Sequence, residues 1–199
     1  MIPEHKSVLG DVITQKQTLR RQVREKLRTL TKATQAAASA QACSLLKQQK
    51  HWKQARAVLF YAPLINELDI WPLLNEALIA GKTVALPRFN AEKGRYAACQ
   101  IHEPALDLRK GNFGVQEPAE HCPPIPIYRL DFILVPGVAF DLDGRRLGRG
   151  KGFYDLLLAA VRGTTCGVTF DEQIVREVPV EPHDIRLNCI LTPTRWIEQ

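Results

Sequence analysis

Long apolar runs are missing. Nowhere does the chain offer the roughly 20 consecutive apolar side chains that a bilayer-crossing helix needs, and Met1 to Ile13 lacks the apolar core of a secretory signal. Both absences argue against a membrane partner and predict a soluble, cytoplasmic chain. Paired cysteines are missing too: Cys43, Cys99, Cys122, Cys166 and Cys189 stand singly, with no C-x-x-C and no histidine at zinc-ligand spacing. This excludes the common structural zinc motifs and predicts reduced thiols. There is no internal repeat and no low-complexity tract.

What is present fits one globular core. The 199 residues are 45% hydrophobic and 24% charged, enough to fold without disulfides or a structural metal. The expected organisation is a flexible N-terminal extension over residues 1–13 and a single domain over 14–199, acting as a monomer. A formal charge of +6 fits nucleic acid, or equally a pocket for an anionic small molecule such as a nucleotide. Where the cations cluster decides between them.

The periodicity predicts a helix from Thr14 to about Leu30, with Leu19, Val23, Leu27 and Leu30 at helical spacing and Thr14 with Gln17 as a capping box. Lys16 to Lys32 carries seven Lys or Arg residues against the single acid Glu25, a composition shared with transit peptides. A second, alanine-rich helix at about 35–49 follows at once, which favours a folded helix. Strands are predicted at 57–61, 84–86 and 96–101, with a helix over 69–80 between the first two and Gly81 as its C′ stop. The next thirty residues, rich in proline, read as an irregular surface loop. Phe132-Ile133-Leu134-Val135 reads as a central parallel strand covered on both faces. A helix at about 153–161 and strands near 166–170 and 189–191 complete an α/β fold: an open, mostly parallel twisted sheet with helices on both faces, three-layered and Rossmann-like. Ligands of such sheets bind beyond the carboxyl ends of the strands, so the loop after Val135 is the first place to seek chemistry.

The most informative stretch follows that strand. Arg145, Arg146, Arg149 and Lys151 stand with no acid among them, interleaved with Gly144, Gly148, Gly150 and Gly152. Alternating glycines let the backbone approach a ligand closely, while arginine forks and a lysine ammonium neutralise phosphate oxygens. Gly152 follows Lys151 where a Walker A loop has serine or threonine, and the spacing misses G-x-G-x-x-G. A solvated basic hairpin or a nucleic-acid contact is the bland alternative, and few aromatics accompany these cations to support single-strand binding. Asp155, in the first turn of the next helix, is either a favourable charge on the helix dipole or, beside a bound polyphosphate, a ligand for Mg²⁺.

The run from Arg145 to Asp155 resembles the signature of the 5-formyltetrahydrofolate cyclo-ligases, also called methenyltetrahydrofolate synthetases. Other segments fall in that family's order: Lys16 to Arg20, Asn66-Glu67-Leu68-Asp69, Leu86-Pro87-Arg88, Pro136 to Asp141, Pro179 to Ile185 and Leu191-Thr192-Pro193. Phe153, where many relatives have tyrosine, and Ile70 depart from the pattern without touching the proposed phosphate or metal groups. The resemblance implies an enzyme of one-carbon metabolism that uses ATP and Mg²⁺ to close 5-formyltetrahydrofolate into 5,10-methenyltetrahydrofolate. The formyl oxygen attacks the γ-phosphate, N10 attacks the activated carbon, and ADP and phosphate are released.

It further implies ATP contacts at Lys16, Arg20, Arg146, Leu147, Gly148, Arg149, Gly150, Lys151, Gly152, Phe153 and Tyr154, and folate contacts at Ala62, Glu67 and Tyr154. Asp155 and Asp184 would serve Mg²⁺. Lys16 and Arg20, four apart, share a helical face and are able to reach one anion, although the bare pattern alone favours solvated charges beside the apolar stripe. A carboxylate at Glu67 suits the paired N–H donors of a pterin, against a plain surface acid. Asp184 is assigned by resemblance alone, and Asp141 and Asp143 read as structural turn residues. Arg149, whose fork spans two oxygens, and Lys151, a point charge able to follow the moving phosphoryl group, are the expected catalytic cations. Two other classes compete: a non-catalytic folate or nucleotide binder, whose mark would be a missing loop cation, and a basic RNA-binding module, whose mark would be steeply salt-dependent binding.

Overall fold

A computed structural model of the chain describes residues 4–111, 114–181 and 184–199, apart from the side chains of residues 4–10 and of Phe153. In chain order the elements are α1 (Glu4–Leu27), α2 (Lys32–Gln48), α3 (Lys50–Gln54), β1 (Ala57–Leu59), α4 (Trp71–Ile79), β2 (Thr83–Asn90), β3 (Arg95–Ile101), α5 (Pro104–Asp107), β4 (Leu108–Lys110), β5 (Gln116–Pro118), β6 (Phe132–Pro136), β7 (Ala139–Phe140), β8 (Arg146–Leu147), α6 (Phe153–Leu158), β9 (Thr164–Val168), β10 (Cys189–Leu191) and β11 (Trp196–Glu198). No helix among the described residues is long and apolar enough to cross a membrane.

Seven strands form one sheet in the order β11-β10-β9-β6-β1-β2-β3. β10, β9, β6, β1 and β2 run parallel, and only the edge strands β3 and β11 are antiparallel to their neighbours. Side chains alternate across a strand, so the apolar run of β6 divides itself. Phe132 and Leu134 join Val23, Leu46, Trp52 and Leu74 of α1 to α4 on one face. Ile133 and Val135 join Leu157 and Leu158 of α6 on the other. A continuous apolar strand is thus what a doubly covered sheet needs, and the α/β architecture expected from the sequence is the one found.

The structure departs from the expected elements at the first helix, in the supposed loop and at several short strands, and other element ends shift by a few residues. The first helix begins at Glu4, so residues 4–13, expected as a flexible extension, are helical, and Thr14 lies inside the helix rather than at a capping box; residues 1–3 of that extension lie outside the described residues. The supposed irregular loop contains α5 and an antiparallel hairpin of β4 and β5. These strands are three residues each, too short to show a period, and Pro118 closes β5 where an edge strand tolerates it. The hairpin of β7 and β8 and the edge strand β11 were also not legible, because these two- and three-residue strands do not stand out as separate apolar runs.

Candidate active site

From β1 the chain winds outward through α4 to β2 and β3, then returns to lay β6 on the opposite side of β1. Neighbouring parallel strands whose connections leave in opposite directions open a crevice at their carboxyl ends. There the structure has a cavity of ≈ 360 Å³, lined by Tyr61 and Ala62 beyond β1, by Pro136 and Gly137 at the end of β6, and by the glycine-rich loop. Its size and its aromatic and aliphatic walls suit a flat heterocycle with a few polar anchors.

The loop brings positive charge to this cavity. Arg146, Arg149 and Lys151 all line it. Arg146, 8% exposed, donates from Nη2 to Asp155 Oδ1 at 2.5 Å and from Nη1 to the Pro136 carbonyl at 3.4 Å, and its guanidinium lies 5.8 Å from the Tyr154 ring centre. Arg149 reaches across to donate from Nη2 to Glu67 Oε1 at 2.6 Å, while Glu67 Oε2 accepts from the Leu64 N–H at 2.9 Å. Glu67 is therefore a buried carboxylate anchored at one oxygen by backbone and bridged at the other to the loop. Burial, with Glu67 and Tyr96 nearby, pushes the Tyr154 phenol well above its ordinary range, so it stays a neutral donor.

The outer side of the loop is held by α1. Lys16, Arg20, Val23 and Leu27 follow one another at spacings of four, three and four, one stripe of the helix; Val23 and Leu27 are core residues, and Lys16 is only 7% exposed. The basic pair is thus carried inward on the extension of the apolar stripe rather than into solvent. Arg20 Nε donates to the Gly148 carbonyl at 2.9 Å, and its guanidinium lies about 3.6 Å from where a side chain at Gly150 would begin. Gly150 has φ +99°, a conformation glycine adopts without strain. Lys16 Nζ donates to Glu181 Oε2 at 2.7 Å and Asp184 Oδ2 at 2.6 Å. Burial alone would lower its pKa, but the two carboxylates outweigh it and hold it above the usual lysine value.

Mg²⁺ favours octahedral oxygen coordination with one or two carboxylates plus phosphates. Asp155 fits: it lines the cavity beside the loop cations, and its side chain is 24% exposed with only one oxygen engaged by Arg146. Asp184 instead faces Lys16 and the Glu181 N–H. Among the described residues, only Asp107, His121 and Cys122 bring three potential ligand atoms within 4.8 Å of one another. There Asp107 already accepts from the His102 and Glu103 N–H groups and pairs with the His121 ring, so this cluster is a structural cap of α5.

Of the residues singled out from sequence, the cavity gathers Ala62, Glu67, Arg146, Gly148, Arg149, Lys151, Gly152, Tyr154 and Asp155. Lys16, Arg20, Gly150 and Asp184 stand outside its lining, and the Leu147 side chain is buried in the core. The Phe153 side chain, and Pro182 and His183 within the Pro179–Ile185 segment, lie outside the described residues. The carboxylate of Asp141, 1% exposed, accepts from the N–H groups of Asp143, Arg145 and Val178, the structural role expected. Sequence reasoning missed Tyr61, Tyr96 and Glu117 as lining residues. Tyr61 ended a recognised apolar run, whereas Glu117 sat in the segment read as irregular and gave no signal.

Comparison with known proteins places the chain by sequence and by fold. The sequence pattern of the 5-formyltetrahydrofolate cyclo-ligase family matches residues 12–193. The 5-formyltetrahydrofolate cyclo-ligase of Escherichia coli (strain K12) is 31% identical over 177 residues, covering 87% of this chain and 97% of its own; that of Mus musculus is 26% identical over 188 residues, covering 88% and 92%. The NMR structure of Aquifex aeolicus 5,10-methenyltetrahydrofolate synthetase superposes with a TM-score of 0.83 at 34% identity, covering 92% of each chain. On sequence and on fold together, the chain belongs to the 5-formyltetrahydrofolate cyclo-ligase family.

Proposed function

We infer that this chain catalyses the ATP-dependent cyclisation of 5-formyltetrahydrofolate to 5,10-methenyltetrahydrofolate, releasing ADP and phosphate. Beyond family membership, one observation carries the reading: a single cavity at the switch point joins aromatic walls, a buried carboxylate at Glu67 and the loop cations Arg146, Arg149 and Lys151. The carboxylate suits the N–H edge of a pterin and the cations suit a triphosphate, so donor and acceptor of the phosphoryl group meet in one place.

In this reading the formyl oxygen attacks the γ-phosphorus and ADP leaves. N10 then attacks the activated formyl carbon, the former formyl oxygen departs on phosphate, and N10 gives up its proton as the imidazolinium ring closes. The chain supplies no covalent nucleophile; it positions the reactants and stabilises charge. Lys151 and Arg149 act on the transferring phosphoryl group. Arg146 and the glycine backbone from Gly148 to Gly152, with Leu147, Phe153 and Tyr154, complete the ATP loop, which Lys16 and Arg20 support from α1. Ala62, Glu67 and Tyr154 contact the folate. Arg149 leaves Glu67 when the triphosphate enters, freeing a carboxylate oxygen for the pterin.

Asp155, with Asp184 once Lys16 turns to phosphate, would hold the Mg²⁺ that accompanies ATP, whose chemistry is to neutralise phosphate oxygens as charge moves between them. Both subsites come from one chain, which supports a monomer acting on 5-formyltetrahydrofolate and ATP without nucleic acid or membrane. Five free, buried cysteines support a reducing, cytoplasmic setting. The test is an absorbance assay for methenyltetrahydrofolate with 5-formyltetrahydrofolate, ATP and Mg²⁺. Product that requires both ATP and metal is expected; no product from folded protein that still binds ATP would turn the reading to a non-catalytic binder.

A further inference from the structure

We propose that Glu117 is a second carboxylate anchor for the folate, accepting hydrogen bonds from its N–H groups inside the cavity; the inference rests on the cyclo-ligase reading above. Glu117 lies in β5, 7% exposed, and lines the same cavity as Glu67 and the loop cations; it also lines, with Phe89 and Gly111, an outer groove over β2 and the β4–β5 hairpin.

A carboxylate this deeply buried is costly unless it is paired, and the fold leaves it almost alone. Among the described residues its only hydrogen bond is a long one, 3.4 Å from the Phe89 N–H to Oε2, and it has no ion pair. Two arginines act on it electrostatically without pairing with it, and each bonds to other groups. Arg88 donates from Nη1 to the carbonyls of Ala119 at 2.5 Å and Cys122 at 3.3 Å. Arg109, opposite Glu117 in the β4–β5 register, pairs with Glu120 at 3.0 Å. Burial accordingly raises the carboxyl pKa, only partly countered by the Phe89 N–H and these arginines.

The hairpin is shaped to admit this side chain. A Cβ at Gly111 would stand 2.5 Å from Glu117 Cδ and 2.7 Å from Oε2, closer than atoms approach, so the carboxylate lies directly on the glycine backbone. Space has been made at the edge of a ligand cavity for a carboxylate that, among the described residues, only the Phe89 N–H meets. The missing partner is a donor carried by the ligand.

Charge decides which ligand. A second carboxylate repels a triphosphate, whose place is beside Arg146, Arg149 and Lys151. The tetrahydropterin and its bridge offer neutral N–H donors, and the residues around Glu117 that share the lining, Pro87, Tyr96 and Val115, give flat apolar walls suited to that ring. Glu67 and Glu117 would then hold the folate between them.

The experiment compares wild type with Glu117→Gln, which keeps the size and an acceptor for the Phe89 N–H, and with Gly111→Ala, which pushes the carboxylate aside without removing it. The KM values for 5-formyltetrahydrofolate and ATP are measured separately, with folate binding measured directly in the absence of ATP and thermal unfolding as a check of folding. Both variants are expected to raise the folate KM about tenfold or more, the loss typical of a charge-assisted hydrogen bond, with the ATP KM unchanged and Glu117→Gln no less stable than wild type. An unchanged folate KM in folded Glu117→Gln overturns the proposal, as does an equal rise in both KM values, which would mark a residue that only shapes the cavity. A wild type that makes no methenyltetrahydrofolate would sink the cyclo-ligase reading instead, and the two failures are told apart by that control.

Discussion

At the scale of single residues, the chemistry depends on charges that exchange partners. The Glu67–Arg149 pair, 2.6 Å apart, joins the proposed folate carboxylate to a proposed phosphate cation before either ligand arrives. Its two members should therefore be coupled: the folate KM should rise in Glu67→Gln and kcat fall in Arg149→Ala, with the double variant less impaired than the sum of the two, as a double-mutant cycle would show. Strict additivity would mean the pair is incidental. Lys151→Ala should lower kcat by about a hundredfold or more, the scale of losing one stabilising group for transition-state charge, while direct folate binding stays near wild type. A separate residue reports on stability. Burial would raise the Asp107 pKa, but the N–H groups of His102 and Glu103 and the His121 ring more than offset this and bring it to about 2. A depressed folded pKa gives stability that is present above the ordinary carboxylate range and lost as pH falls through the folded value. Asp107→Asn should thus have a lower Tm than wild type at neutral pH, and the gap should close as pH falls from about 4 toward 2; a constant gap would contradict that assignment. Much of this scale was legible: the loop from Arg145 to Asp155 announced itself by glycine alternation and one sign of charge. The pairing of Lys16 with Asp184 was not, because 168 positions separate them and no local pattern connects a helix charge to a turn acid.

At the scale of elements, legibility followed length and period. α2, α4, β1, β6 and β10 emerge where the apolar pattern places them: the helices are long enough to show their period, and the strands, short as β1 and β10 are, are apolar throughout. The start of α1 was misplaced because Thr14 and Gln17 have the spacing of a capping box, and side chains in a helix interior satisfy that spacing just as well. The β4–β5 hairpin was lost among prolines, and Glu117 with it. Packing between elements makes its own prediction. Gly167 in β9 lies under the Phe140 ring, where a Cβ would stand 2.6 Å from the nearest ring carbon and 3.0 Å from Leu187. Phe140 is fully buried and has no room to retreat, so Gly167→Ala should destabilise the chain by roughly 1–3 kcal/mol, measured by denaturant unfolding. A variant as stable as wild type would mean the β7–β8 hairpin yields more easily than its burial implies.

At the scale of the whole molecule, the sheet order sets where chemistry occurs. Strand β1 is flanked by β2, reached at once through α4, and by β6, reached only after the chain has passed β3 and the β4–β5 hairpin. The crevice between their carboxyl ends therefore receives side chains from distant parts of the sequence: Glu67 after β1, Tyr96 from β3, Glu117 from β5, Arg146 from β8 and the cations that follow it. The net positive charge of +6 finds one focus there, where a polyphosphate is drawn toward the cavity. In the proposed mechanism the formyl oxygen is the phosphoryl acceptor. This step is tested most directly with 5-formyltetrahydrofolate carrying oxygen-18 in the formyl group, followed by phosphorus NMR of the phosphate released in a single turnover. One labelled oxygen in each phosphate is the predicted result; unlabelled phosphate formed together with methenyltetrahydrofolate would contradict it.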